Sequence, residues 1–157
     1  MLLRVPDIVN HHALNMGHSF VYYEEDSELL HDIDLWALRH FFIEEAKIAE
    51  AEQPNDCATK LRGFFEMWEW VGNGVYINTD FATYVSEQKK RWELLIRHLE
   101  RTNKRIAEFG EFVPLDYLTV HLKTPHLYFR GPLPTETFSG CIEKIHALLI
   151  RHEPKSE

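Results

Sequence analysis

The helical spacing of apolar residues between Thr79 and Gly110 is the strongest constraint on this fold. Apolar positions recur there every three or four residues, which is typical of one face of an α-helix. They are Phe81, Tyr84, Val85, Trp92, Leu95, Leu99, Ile106 and Phe109. Thr79 or Asp80 supplies an N-cap and Gly110 a stop, so the sequence predicts one helix about 43 Å long at 1.5 Å per residue. We expect this helix to kink or to project at one end.

Three other long segments carry an apolar stripe of the same period. They span residues 28–52, 57–71 and 135–151. Asp26 or Ser27 is the predicted cap of the first, and Asn55 or Asp56 that of the second. Shorter helices are predicted at Pro114–Lys123 and, as one interpretation of the start of the chain, at Pro6–Met16.

The remaining segments indicate loops within a single domain. Residues 20–23 form a short β-prone run or a buried loop, and Gly72-Asn73-Gly74 predicts a turn. The prolines of residues 124–134 predict an extended loop. A chain of 157 residues without a Gly/Ser linker suits one domain, 1–157. The predicted fold class is therefore all-α, an irregular helical bundle of about four long helices plus short helices.

Charge is concentrated in the first third of the chain. The chain has a net charge of −8, while residues 1–56 alone carry twelve acids and three bases, a net −9. A negative field repels nucleic acid and anionic lipid and attracts a basic protein. The alternative is a solvated acidic face that maintains solubility. The candidate partner-binding acids are Glu24, Glu25, Asp26, Glu28, Asp32 and Asp34.

Trp70 is the other candidate for partner binding. Phe64, Phe65 and Trp68 can share the core side of the second helix, whereas Trp70 points elsewhere, between carboxylates. Aromatic residues ringed by acids make good protein-binding anchors. The alternative is that another helix covers Trp70.

Cysteine use and hydropathy predict a cytoplasmic protein that does not enter a membrane. Cys57 and Cys141 are far apart, and we interpret both as reduced and buried. No apolar run approaches 18 residues, and the first ten residues do not resemble a signal peptide.

Ten histidines raise the alternative of a metalloenzyme. Glu28 with His31 and Glu143 with His146 have the Glu-x-x-His spacing that di-metal helical bundles use. In a chain this rich in both residue types, such pairs also arise by chance, so we predict no metal or other cofactor. His11, His12 and His18 form a metal or proton-relay group or, alternatively, are surface residues. We interpret His40 and His98 as core or boundary residues.

The motifs of nucleophilic enzymes are missing from the sequence. It contains no Gly-x-Ser-x-Gly elbow and no Gly-rich phosphate loop. Cys57 near a helix start has no identifiable partner histidine. We therefore predict a protein that binds rather than catalyses.

In overall style the chain resembles the small acidic immunity proteins of bacterial toxin–immunity pairs. The resemblance rests on the acidic block 24–28 with Asp32 and Asp34, on the turn-and-cap run 76–81, and on the run 109–118. It implies a compact cytosolic inhibitor that covers a toxin domain. An adaptor subunit is a further alternative.

Overall fold

The structure, a computed structural model, describes residues 18–71, 76–122 and 129–155. These residues form six helices and three two-stranded antiparallel sheets. No helix among them is long and apolar enough to cross a bilayer. In chain order the elements are β1 (His18–Tyr23), β2 (Asp26–His31), α1 (Asp32–Glu52), α2 (Asp56–Glu66), β3 (Glu69–Trp70), β4 (Tyr76–Ile77), α3 (Phe81–Val85), α4 (Lys89–Ala107), β5 (Phe112–Val113), α5 (Leu115–Leu122), β6 (Leu133–Pro134) and α6 (Thr135–Arg151).

The predicted all-α class is wrong, because the protein is a mixed α/β structure. Its longest sheet is the β1–β2 hairpin, where the predicted β-prone run at residues 20–23 pairs with residues that were expected to be helical. Val21 and Tyr23 alternate into the core and Leu30 joins them from β2. This pairing overrides the helix propensity of residues 28–31, so the first long helix begins at Asp32 rather than at residue 28. Neither Asp26 nor Ser27 caps it.

The long helix predicted between Thr79 and Gly110 is broken into α3 and α4. Ser86 and Glu87 have φ values of 49° and 59°, and a left-handed backbone cannot continue a right-handed helix. Asp80 begins α3 as predicted, because its Oδ1 accepts a hydrogen bond of 3.0 Å from the Ala82 amide. The expected kink is thus a complete break.

The second predicted helix begins as expected but is shorter. Asn55 caps α2, with its Oδ1 accepting a 2.8 Å bond from the Ala58 amide. The helix ends at Glu66 rather than at residue 71, and Glu69–Trp70 instead form β3. The predicted turn at 72–74 lies outside the described residues.

The C-terminal helices agree closely with prediction. α6 has the predicted bounds, and α5 begins one residue later than predicted and continues to Leu122, the last described residue before a gap. The predicted extended loop at 124–134 ends in β6, which pairs with β5. Residues 123–128 of that region lie outside the described residues, as does the short helix predicted at Pro6–Met16.

One hydrophobic core connects the hairpin to all the long helices. α1 packs against α2 and α4, and α4 packs against α6. The α1–α2 side is an aromatic cluster in which the Phe42 and Phe65 rings stack with centroids 4.6 Å apart. The other members of this cluster are Phe64, Trp68 and Phe81. This core holds the hairpin against the helices, with the other face of the hairpin directed outward.

Candidate functional site

The turn of the hairpin carries two solvent-exposed acids. Glu24 and Glu25 connect β1 to β2, and both are exposed. Glu24 has a φ of 57°, and its amide donates a 3.0 Å hydrogen bond to Asp80 Oδ1. The Asp80 carboxylate therefore fixes the turn while it caps α3. These two acids are accessible to a partner, and their predicted role in binding stays a prediction.

Asp26 and Glu28 form ion pairs with the end of α6. Arg151 donates to Asp26 at 2.8 Å and to Glu28 at 3.1 Å, and His152 Nε2 donates to Asp26 at 2.8 Å. These bonds hold the pKa of Asp26 far below its usual value. Because Arg151 shares its single positive charge between the two acids, together they contribute less negative charge to the surface than two unpaired carboxylates would.

Asp32 and Asp34 are buried, at 6% and 8% exposure. Ser19 Oγ donates a 2.5 Å hydrogen bond to Asp32 Oδ1. Burial raises the pKa of Asp34 to about 6, and the nearby charges of His18 and Lys144 offset part of this effect. Neither carboxylate is placed to contact a partner at the surface.

Trp70 contributes its backbone to β3, where it is paired with Tyr76. Its side chain lies outside the described part of the structure. The predicted anchor role of Trp70 therefore stays a prediction.

The outer side of the hairpin carries apolar residues that the sequence did not single out. Phe20, Tyr22 and Leu29 are 43%, 38% and 41% exposed, and we call these three residues the hairpin face. Phe20 and Leu29 are directly opposed in the sheet. β1 is anchored on its other edge, where the Tyr22 amide donates to the Thr79 carbonyl at 3.0 Å. Exposed and buried positions alternate strictly along β1. Residues 20–23 are all apolar or aromatic, however, so the sequence held no polar/apolar alternation that could indicate which of them face outward.

An acidic cleft adjoins the turn. It has a volume of about 640 Å³, and three glutamates line it: Glu24, Glu87 and Glu153. Among the described residues of its lining, Lys155 is the one lysine or arginine. Glu153 is paired with Lys89. Glu24 and Glu87 also raise the pKa of Tyr23, after the larger effect of burial, which shows that their charges converge on this end of the hairpin.

A second acidic centre lies inside the helical part. Glu45 of α1 is 1% exposed and accepts hydrogen bonds from Arg101 at 2.8 Å and from Arg105 at 2.5 Å, both on α4. Arg101 also contacts Glu52 at 2.9 Å. This network joins α1 to α4 and is structural in character.

The histidines that we interpreted as core or boundary residues have those positions. His98 is 2% exposed, and its Nε2 donates to the Phe42 carbonyl at 3.0 Å. Burial lowers the pKa of His98 to about 3, so this imidazole is neutral. His40 is half-buried and shares a 2.9 Å hydrogen bond with the Tyr117 hydroxyl.

The di-metal alternative requires both Glu-x-x-His pairs to lie on helices, and the first pair does not. Glu28 and His31 lie on β2, where residues three apart point to opposite faces. Glu143 and His146 do lie on α6. Within the described ranges, no three His, Cys, Asp or Glu side chains are close enough to hold a metal ion. His11 and His12 lie outside those ranges.

Both cysteines are free thiols. Cys141 is buried as predicted, and burial raises its pKa to about 12. Cys57 is only partly buried.

Comparison with known proteins finds no match for this chain among protein-family models, curated proteins or solved structures. The functional interpretation therefore rests on the site itself.

Proposed function

We propose that this protein binds another protein and inhibits it, in the manner of an immunity protein that covers a basic toxin domain. The observation that carries the proposal is the hairpin face, an outward group of two aromatic rings and a leucine beside exposed carboxylates. Tyr and Phe are enriched at the centres of protein interfaces, where they supply contact area at low entropic cost.

The charges around this face favour a basic partner. Glu24 and Glu25 have no cationic partner within the described residues, and the acidic cleft lies next to them. An arginine or lysine of the partner that entered this cleft would meet Glu24 and Glu87. Long-range attraction between the net −8 chain and a basic protein would speed association, and the same field disfavours nucleic acid.

The hairpin is rigid enough to act as a binding platform. Its inner residues Val21 and Leu30 are anchored in the core, its turn is tied to Asp80, and Arg151 fastens β2 to α6. Because these three sets of contacts already restrict the hairpin, it loses little conformational entropy on binding. The proposal places this interaction in the cytoplasm, which the two free thiols favour.

Site-specific photo-crosslinking in cells of the source organism tests the proposal. A photoreactive residue at Phe20 should capture a basic protein, whereas the same residue at Val120, which is 74% exposed on α5, should not. The captured protein is then expressed, and protection from its toxicity is scored.

With the purified pair, Phe20→Ala and Leu29→Ala should each weaken binding by about tenfold or more. Val120→Ala is the matched control on another surface and should bind normally. Unchanged affinity in both hairpin variants, or capture at position 120 alone, would refute this interface. A captured protein that binds tightly but is not inhibited would support the adaptor alternative instead.

A further inference from the structure

Two histidines face each other at the open end of the hairpin. His18 and His31 are directly opposed in the β1–β2 register, and their ring centroids are 4.0 Å apart. His18 is exposed and His31 is half-buried. Neither imidazole forms a hydrogen bond within the described residues. Two polar rings are thus brought together, and no described residue forms a hydrogen bond with their nitrogens.

A buried carboxylate lies close to this pair. Asp34 is 8% exposed, and no protein group in the described ranges donates a hydrogen bond to it. Its charge interacts with that of His18 and with that of Lys144 on α6. A buried carboxylate without a donor creates negative potential that favours a nearby cation, and Lys144 offsets part of it.

We propose that His18 and His31 together chelate a divalent transition-metal ion such as Zn²⁺, Ni²⁺ or Cu²⁺. Opposed residues of an antiparallel pair have Cβ atoms about 4.5–5.5 Å apart, so one nitrogen from each ring can reach a common ion at about 2.0–2.1 Å. Imidazole nitrogen suits these three metals, whereas Mg²⁺ and Ca²⁺ prefer oxygen.

The described residues supply two protein ligands to this site, and water would complete the coordination. It is therefore weaker than a structural zinc site, which has four protein ligands. The ion would crosslink the first residue of β1 to the last residue of β2, so it binds the folded hairpin more tightly than the unfolded chain. Metal binding should stabilise the fold in proportion to the logarithm of free metal concentration. This site is independent of any protein partner.

Titration of tag-free, EDTA-treated protein with each chloride salt tests the proposal by calorimetry. We expect one ion per chain near neutral pH and much weaker binding near pH 5.5, because both imidazoles must be unprotonated to coordinate. His18→Gln and His31→Gln should each reduce affinity by at least about tenfold. Both variants keep a polar side chain of similar length, and circular dichroism would confirm that they fold.

His121→Gln is the matched control. His121 is an exposed histidine that also has an imidazole neighbour, since its ring centroid lies 5.6 Å from that of His40. The Nε2 of His40 is engaged by Tyr117, so this pair should not chelate, and the control should bind like the wild type. A second control, His11→Gln with His12→Gln, should also bind normally.

Electron paramagnetic resonance of the Cu²⁺ complex gives an independent readout. Two equivalent nitrogen ligands are expected in the wild type, and one in either single variant. Unchanged affinity in both His18→Gln and His31→Gln would overturn the proposal. So would loss of binding in the His11→Gln/His12→Gln control with full binding in His18→Gln.

Discussion

The acids of residues 24–34 and the buried acid Glu45 differ in what surrounds their carboxylates. The acids of residues 24–34 are neighbours in sequence but occupy three environments: solvent at the hairpin turn, an ion pair at Asp26, and the interior at Asp34 on α1. Glu45, in contrast, is 1% exposed and accepts hydrogen bonds from two arginines of another helix.

The comparison teaches that charge density along a chain does not measure the potential at the surface. Exposed ion pairs contribute little to stability because water screens them. A buried charge depends on its partners, because losing them leaves it desolvated and uncompensated. The two regions should therefore respond very differently to substitution.

The largest effect is expected at Glu45. Replacing Arg101 and Arg105 together by Gln leaves this carboxylate buried without a counter-charge. We expect a loss of about 3–5 kcal/mol in the free energy of unfolding, measured by urea denaturation.

Adding Glu45→Gln to that double variant is the control. The amide removes the buried charge, so the triple variant should recover a large part of the lost stability. A double variant within about 1 kcal/mol of the wild type would mean that Glu45 is rehydrated and that the network is not structural.

The second effect concerns Asp34 and depends on pH. Burial raises its pKa in the folded state to about 6, while the unfolded chain keeps a value near 3.9. The folded state therefore binds more protons between about pH 4 and pH 6, and wild-type stability falls as the pH rises through this window. Asp34→Asn does not ionise and should be more stable than the wild type near pH 7.5, by about 2 kcal/mol.

Denaturation of both proteins in EDTA at about pH 4 and pH 7.5 measures this difference. The advantage of Asp34→Asn should largely disappear at the acidic pH. A constant difference at both pH values would show that Asp34 is ionised at low cost in the folded protein.

A smaller effect is expected at the exposed ion pair. Arg151→Met removes the arginine partner of Asp26 and Glu28 and leaves His152 beside Asp26, which should lower the melting temperature slightly and only at low salt. The pKa of Asp26 is depressed in the folded state, so this stabilisation is present above about pH 4 and lost as the pH falls below it. Thermal melts at two salt concentrations and two pH values check both trends; Lys60→Met, at another exposed ion pair, is the control.

The smallest effect on stability is expected at the turn. Glu24→Gln with Glu25→Gln should leave the melting temperature unchanged, because neither side chain has a cationic partner in the described structure. With the basic partner in hand, the same variant should slow association and flatten its dependence on salt. An unchanged on-rate would mean that this acidity serves solubility alone. The variant leaves Asp34 unchanged, because this acid is buried and does not contribute to the exposed acidic surface.

Local signals predicted the parts of the fold that local interactions determine. The caps at Asn55 and Asp80, the bounds of α6 and the buried His98 all follow from spacing and side-chain chemistry within a few residues. The apolar stripes also identified most of the core.

The features that the sequence did not reveal depend on distant partners. Residues 28–31 suit a helix as well as a strand, and only pairing with β1 decides between them. The pairing of Asp26 with Arg151 spans 125 positions, and no local pattern indicates it. Ser86 and Glu87 have a left-handed backbone but are not glycines, so no residue type in the sequence indicated the helix break.

The ion pair between Asp26 and Arg151 has a consequence for local dynamics. Helix ends fray more readily than helix centres, and Arg151 is the last residue of α6. Opening of this final turn would break the ion pair that holds β2. It would also separate the rings of Tyr23 and His152, which stack with their centroids 4.6 Å apart. We therefore expect amide hydrogen exchange at the hairpin turn to depend on transient opening of a helix end more than 120 positions away in sequence.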